Sequence, residues 1–163
     1  MTTFINAKDE KAFTLIAHLA RTIWEDHYTP IIGSEQVSYM LNKFQSVEAI
    51  AEQVSRGVQY HLIFYNSKPA GYLAFEKKLE ELFLSKIYVS KEMRGKGIGK
   101  EAMAFIEREG RHMDCTQISL TVNKHNTGSI KAYEKLGFHN LGGIVQDIGQ
   151  GYIMDDFLLI KSL

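Results

Sequence analysis

The chain has 163 residues, enough for one domain with a real core, and its 45% hydrophobic and 23% charged residues are an ordinary globular mixture. Lys plus Arg equals Asp plus Glu at 19 each, so the basic excess that would carry nucleic-acid affinity is missing and no nucleic-acid partner is expected. No apolar run reaches membrane-spanning length, Met-Thr-Thr-Phe lacks the basic start of a signal peptide, and the single cysteine, Cys115, excludes an intrachain disulfide and a cysteine-cluster metal site.

A soluble, cytoplasmic protein in a reducing compartment is the expectation, with no membrane partner. Pro30 and Pro69 are the only prolines and no low-complexity linker interrupts the chain, so residues 1–163 read as a single domain.

Thr3 to Ala7 is a short apolar strand. Asp9 can cap a helix whose apolar positions Phe13, Ile16, Leu19, Ala20 and Ile23 recur at helical spacing. That helix is expected to end where the chain turns aromatic, between Trp24 and Pro30. Ser34 with Val37, Met40 and Leu41 starts a second helix, and Ser46 with Glu48, Ile50 and Val54 a third. The period then changes. Tyr60 to Tyr65 and Ala70 to Glu76 form a hairpin around Asn66-Ser67-Lys68, and Leu82 to Val89 is a third strand in succession. Gly97 to His112 returns to helical spacing, with Ile98, Ala102, Phe105 and Ile106 on one face. Ile118 to Val122 is a strand, Ser129 to Leu136 a helix stopped by Gly137, and Phe138 to Val145 with Tyr152 to Ile160 a last strand pair. The order predicts a mixed α/β fold around one central sheet.

The sharpest local signal is Arg94-Gly95-Lys96-Gly97-Ile98-Gly99-Lys100, between a strand and a helix. Glycines let the backbone turn and approach a ligand closely, and amides at a helix start hold an anion, here with Arg and Lys nearby. Lys86, Lys91, Arg94, Lys96 and Lys100 make a local basic patch. A Walker A loop would need Gly at Arg94 and Ser or Thr at Glu101; a dinucleotide loop would need Gly at Lys100 and a position after the first strand. Both patterns fail. Arg-x-x-Gly-x-Gly at Arg94, Gly97 and Gly99 instead resembles the pyrophosphate loop of the GNAT superfamily of acetyl-CoA-dependent N-acetyltransferases. A helix start that is merely glycine-rich is the competing reading of this motif alone.

A second motif lies downstream in Asn126-Thr127-Gly128-Ser129-Ile130-Lys131-Ala132-Tyr133-Glu134-Lys135-Leu136-Gly137-Phe138. Asn126 suits a helix cap, and Ile130, Tyr133 and Leu136 share a face, so Tyr133 alone would read as packing. The run nevertheless resembles the second signature of the same family, in the right order and after a strand. The resemblance is specific from Leu82 to Phe138.

The resemblance implies a central mixed, mostly antiparallel sheet flanked by helices, with a bulged strand pair holding the cofactor. It implies acetyl-CoA as cosubstrate and no metal. The pantetheine arm would lie against Ile87, Tyr88 and Val89, with the Val89 amide polarising the thioester carbonyl. Arg94, Gly95, Lys96, Gly97, Ile98, Gly99 and Lys100 would hold the pyrophosphate, and Asn126 would contact the arm. Tyr133 stands at the position of the general acid, protonated at neutral pH with a reference pKa near 10.

The chain departs from the pattern at the base, because Phe83 and Thr121 stand where members place a glutamate. Glu81, Glu76, His125, Glu25 and Asp155 are the candidates. Tyr28, Glu81 and Asp155 are the candidate acceptor-binding residues, with Trp24 and His27 on the segment bordering that site. Asp155 and Asp156 are adjacent on a strand, so one faces a packed side or groove and the other faces solvent. The six histidines form no metal-binding motif, and Cys115 reads as an inert buried thiol. The implied activity is acetyl transfer to a primary amine, of a polyamine-like small molecule or a protein N-terminus. The alternative is an acyl-CoA-binding sensor or structural module without turnover. A homodimer is left open.

Overall fold

A computed structural model describes residues 1–163. Strand β1 (Thr2–Asn6) leads into three helices, α1 (Glu10–Ile32), α2 (Ser34–Phe44) and α3 (Val47–Ser55). Three consecutive strands follow, β2 (Gln59–Tyr65), β3 (Lys68–Lys78) and β4 (Glu81–Val89). A short 3₁₀ turn and the glycine loop connect β4 to helix α4 (Ile98–His112), which is followed by β5 (Gln117–Asn123), α5 (Thr127–Lys135), β6 (His139–Gly149) and β7 (Tyr152–Ser162). All seven strands join one sheet in the order β1-β2-β3-β4-β5-β7-β6. Every neighbouring pair is antiparallel except β4 and β5.

The local chemistry explains most of the boundaries. Asp9 accepts from the Ala12 amide at 2.9 Å and Ser46 from the Ala49 amide at 3.1 Å, so each caps its helix. Asn66 and Ser67 both have positive φ, 49° and 66°, the paired left-handed geometry that matches the twist of a two-residue hairpin. Apolar side chains of the sheet split into two cores. One, around Leu73, Phe75, Leu82, Ile106, Ile118 and Leu159, lies under α4. The other, around Ile16, Ala20, Ile50, Tyr60 and Tyr72, lies under α1 to α3.

One expectation fails here. Helix α1 does not stop between Trp24 and Pro30 but continues to Ile32. Pro30 lies in the last turn, where its missing N–H removes a single rung, and Gly33 at φ 85° then closes the helix by donating to the Thr29 carbonyl at 2.9 Å. Burial of Trp24, which is 3% exposed, outweighs that lost rung. His27 and Tyr28 are therefore helical residues, held over the sheet at fixed spacing.

Candidate active site

The pairing between β4 and β5 determines the site. It consists of Glu81 with Gln117, Leu82 with Ile118 and Phe83 with Ser119, and beyond Phe83 the strands part. At the same place the register between β3 and β4 shifts: Ala74 pairs with Lys86 and Phe75 with Leu84, so Ser85 is the extra residue of a bulge. The Ser90 amide donates to the Ala70 carbonyl at 2.8 Å. Because ladder bonds alternate along a strand, the Val89 and Ile87 amides point the opposite way, into the gap towards β5. Gly71 lets β3 lie this close to β4, since a Cβ there would collide with the Tyr88 carbonyl oxygen.

Two cavities open on either side of the gap. The first, of about 340 Å³, is walled by Ile87, Tyr88, Val89 and Arg94 on the β4 side and by Asn126, Ala132 and Tyr133 on the α5 side. The second, of about 680 Å³, lies between the sheet and α1–α2, against Trp24, Met40, Phe83 and Met154 among others. Tyr28, Ser85, Lys86, Tyr88, Thr121 and Val122 belong to both, so the two cavities meet through the gap.

At the mouth of the first cavity the glycine loop has the form of an anion cradle. None of the amides from Gly95 to Lys100 donates to a backbone carbonyl. Gly95 and Gly97 take φ of 76° and 78°, and a Cβ added at Gly95, Gly97 or Gly99 would meet no atom within 4 Å, so open space borders the loop at these three positions. Arg94 is the only loop residue in the cavity wall, and its Nε donates to the Val89 carbonyl at 3.3 Å. Ile98 contributes only its amide, because its side chain is 2% exposed in the core.

Asn126 caps α5, accepting from the Ser129 amide at 3.4 Å, and its Nδ2 lies 3.0 Å from His27 Nε2. With Nδ2 as the donor, His27 is neutral with its proton on Nδ1. Burial and the nearby Arg94 lower the His27 pKa, which agrees with that state. Tyr28 and Tyr88 hydroxyls are 3.0 Å apart. Tyr133 packs edge-on against Phe138, 5.7 Å between ring centres, and burial with Tyr28 nearby raises its phenol pKa well above the usual value. It stays protonated at every pH where the protein would work.

The structure brings Ile87, Tyr88, Val89, Arg94, Asn126, Tyr133 and Tyr28 together, but not the two acidic candidates for acceptor binding. Glu81 sits at the paired end of β4, away from both cavities, and accepts from Gln117 Nε2 at 2.9 Å. Asp155 is on the wrong face of β7 and is ion-paired with Lys124 at 2.7 Å. Its neighbour Asp156 faces the second cavity instead, 3% exposed, with no hydrogen-bonded or ion-paired partner. Burial first, then the charge of Asp155, raise its pKa from 3.8 to about 6, against a smaller opposing effect of Lys124. Glu76, Glu25 and His125 line neither cavity.

Lys86 is also misplaced by the sequence reading. It does not join the basic surface of the loop but extends into the junction of the cavities. Alternation along β7 would have found Asp156 only with a known inward residue as reference, and Lys86 carried no sequence signal.

The sequence model of the acetyltransferase (GNAT) family matches residues 17–138. An uncharacterized N-acetyltransferase encoded in the pepI 3′ region of Lactobacillus delbrueckii subsp. lactis is 24% identical over 168 residues, covering 98% of this chain and 95% of its own. Among solved structures, the PaiA N-acetyltransferase of Thermoplasma acidophilum in complex with coenzyme A superposes with a TM-score of 0.83 at 19% identity, covering 100% of this chain and 99% of that one. The ribosomal-protein-S18-alanine N-acetyltransferase of Escherichia coli gives 0.74 at 16% identity, covering 99% and 94%. The likenesses in structure establish the fold, and the match over most of the chain establishes the family: this chain belongs to the GNAT family and is an N-acetyltransferase.

Proposed function

We propose that the protein transfers the acetyl group of acetyl-CoA to a primary amine by direct attack, with Tyr133 as general acid. The acceptor is a small molecule or a protein N-terminus. The observation that carries this reading is the meeting of two cavities through one gap in the sheet. A donor lying along β4 and an amine entering from the α1–α2 side would contact each other there without an acyl-enzyme step.

The residues fit acetyl-CoA. The free amides from Gly95 to Lys100 suit its pyrophosphate, and the unpaired edge of β4 suits its amide-bearing arm. When bound, acetyl-CoA supplies the thioester to be cleaved. The Val89 amide would donate to the thioester carbonyl oxygen as charge develops on it. The amine nitrogen forms the new C–N bond, the C–S bond breaks, and the Tyr133 hydroxyl gives its proton to the sulfur. A proton lost from nitrogen returns to Tyr133. Burial that raises the Tyr133 pKa also disfavours a free thiolate beside it, so proton transfer to sulfur would accompany C–S cleavage.

The family resemblance implies polyamine-like acceptors among others, and an acidic groove would support a cationic one. The second cavity holds Lys43 and Lys86 beside Asp147 and Asp156, a balanced set that removes this support for a polycation. The test is thiol release from acetyl-CoA across a panel of amines, run beside calorimetry with acetyl-CoA. Release with at least one amine, and binding without any, are the outcomes for the transferase and for an acyl-CoA sensor respectively.

A further inference from the structure

The second cavity contains four charged side chains, and two of them are already engaged. Lys43 Nζ donates to the Ile148 carbonyl and to the Tyr39 hydroxyl, and Asp147 Oδ1 accepts from the Gly149 amide at 2.8 Å. The other two, Lys86 and Asp156, make no hydrogen bond and no ion pair, either with other groups or with each other. They stand on different strands of the same sheet face, β4 and β7, with β5 between them. The carboxylate that acts on Lys86, Glu76, is ion-paired with Lys78 at 3.4 Å and lies beyond ion-pair reach of Lys86. Two opposite charges held apart in one pocket, neither neutralised, form a complementary surface for a ligand with both charges.

We infer that the acceptor is a zwitterion, a primary amine that carries an anionic group such as a carboxylate, with its ammonium on Asp156 and its anion on Lys86. This rests on the acetyl-transfer reading and gives it a substrate class. The phosphates of acetyl-CoA do not serve as the anion, because the loop that suits them follows β4 on the opposite side of the gap, and the pantetheine arm is neutral. The rest of the wall is mixed, apolar at Trp24, Met40 and Phe83 among others and polar at Gln36, Thr121 and Asn123 among others, so it suits a body that is apolar in part between the two charges.

The roles divide cleanly. Asp156 takes a proton from the ammonium, leaving the nitrogen lone pair free to attack the carbonyl carbon, and later passes that proton to solvent. Its raised pKa, about 6, still leaves it ionised at neutral pH and a better base than a free aspartate. Lys86, lowered by burial to about 8 against the opposing charge of Glu76, remains a cation at pH 7. Lys86 therefore selects the acceptor, and Asp156 makes it reactive.

The experiment compares kcat/KM for matched pairs that differ only in the carboxylate, such as phenylalanine with 2-phenylethylamine and 4-aminobutyrate with propylamine. The wild-type protein should favour at least one carboxylated member by about tenfold to a hundredfold, the worth of a charge-assisted bond. Lys86→Met should remove that preference. Binding of 3-phenylpropionate, which has the anion and no amine, is read by calorimetry independently of turnover and should be weakened by the same factor. Wild-type preference for the plain amine in every pair, or 3-phenylpropionate bound equally by wild type and Lys86→Met, would overturn the zwitterion. Absence of thiol release with every amine, while 3-phenylpropionate still distinguishes the two proteins, would count against acetyl transfer and leave the anion subsite standing.

Discussion

Asp156 is a base that the fold stabilises poorly, and replacing it with Asn should make the protein more stable and less active. Its pKa rises from 3.8 to about 6 on folding, and about two units correspond to about 3 kcal/mol against the ionised form. Water in the open cavity screens part of this, leaving about 1 to 2 kcal/mol. The sign follows from linkage. Below about pH 4 the carboxyl is protonated in both folded and unfolded chains and the penalty is absent; it grows between pH 4 and 6 and is full above pH 6. Asn keeps the shape and cannot ionise, so Asp156→Asn should melt about 2 to 8 °C higher at pH 7 and at nearly the same temperature as wild type at pH 3.5. Its acetyl transfer should fall about 10²- to 10⁴-fold. Thermal melts at the two pH values, beside thiol release at pH 7, make the comparison. A variant less stable than wild type at pH 7 would show that Asp156 serves the fold, and the argument for a strained base would fail.

The remaining expectations concern the cosubstrate side. Tyr133→Phe keeps the ring against Phe138 and removes only the hydroxyl, so single-turnover rates should drop about 10²- to 10⁴-fold. Acetyl-CoA affinity in the same variant should change by no more than about 1 kcal/mol, measured by calorimetry. Gly97→Val places a β-branched side chain at φ 78° and in the open approach to the loop amides. It should abolish acetyl-CoA binding in a protein whose circular dichroism remains native, and a folded variant with wild-type affinity would locate the phosphates elsewhere. Wild-type protein should gain about 2.7 kcal/mol of unfolding free energy with acetyl-CoA at 100 times its dissociation constant, read by denaturant titration.

Legibility in the sequence tracked how local the governing physics is. The hairpin at Asn66-Ser67, the caps at Asp9, Ser46 and Asn126, and the glycine loop are each determined by a few neighbouring residues, and each lies where the sequence places it. The end of α1 was misread because the sequence contains the Pro30 signal but not the tertiary burial of Trp24 that overrides it. Asp155 and Asp156 could not be told apart because the end of β7 is apolar on both faces: Phe157 and Leu159 pack under α4, while Leu158 and Ile160 lie on the other side. Lys86 looked like part of a basic run because linear proximity to Arg94 says nothing about which side of a strand each side chain leaves from. Candidate residues carried by a local motif, Arg94, Asn126 and Tyr133 among them, were legible; Lys86 and Asp156, which reach a cavity only through the face of a strand, required the sheet.

As a mechanical object, the sheet has a weak seam. Strands β1 to β4 make one plate and β5, β7 and β6 another, and the strand pairings between the two plates run only from Glu81–Gln117 to Phe83–Ser119. Within each plate the strands are zipped along most of their length. The seam is paired at one end only, and its open end is where both cavities lie. A molecule laid along β4 would stand in for the missing rungs at that end. It would also touch walls that the two cavities share, Tyr28, Ser85, Tyr88 and Thr121 among them. Ordering of those shared walls by the first ligand would favour the second without a lid or a moving domain.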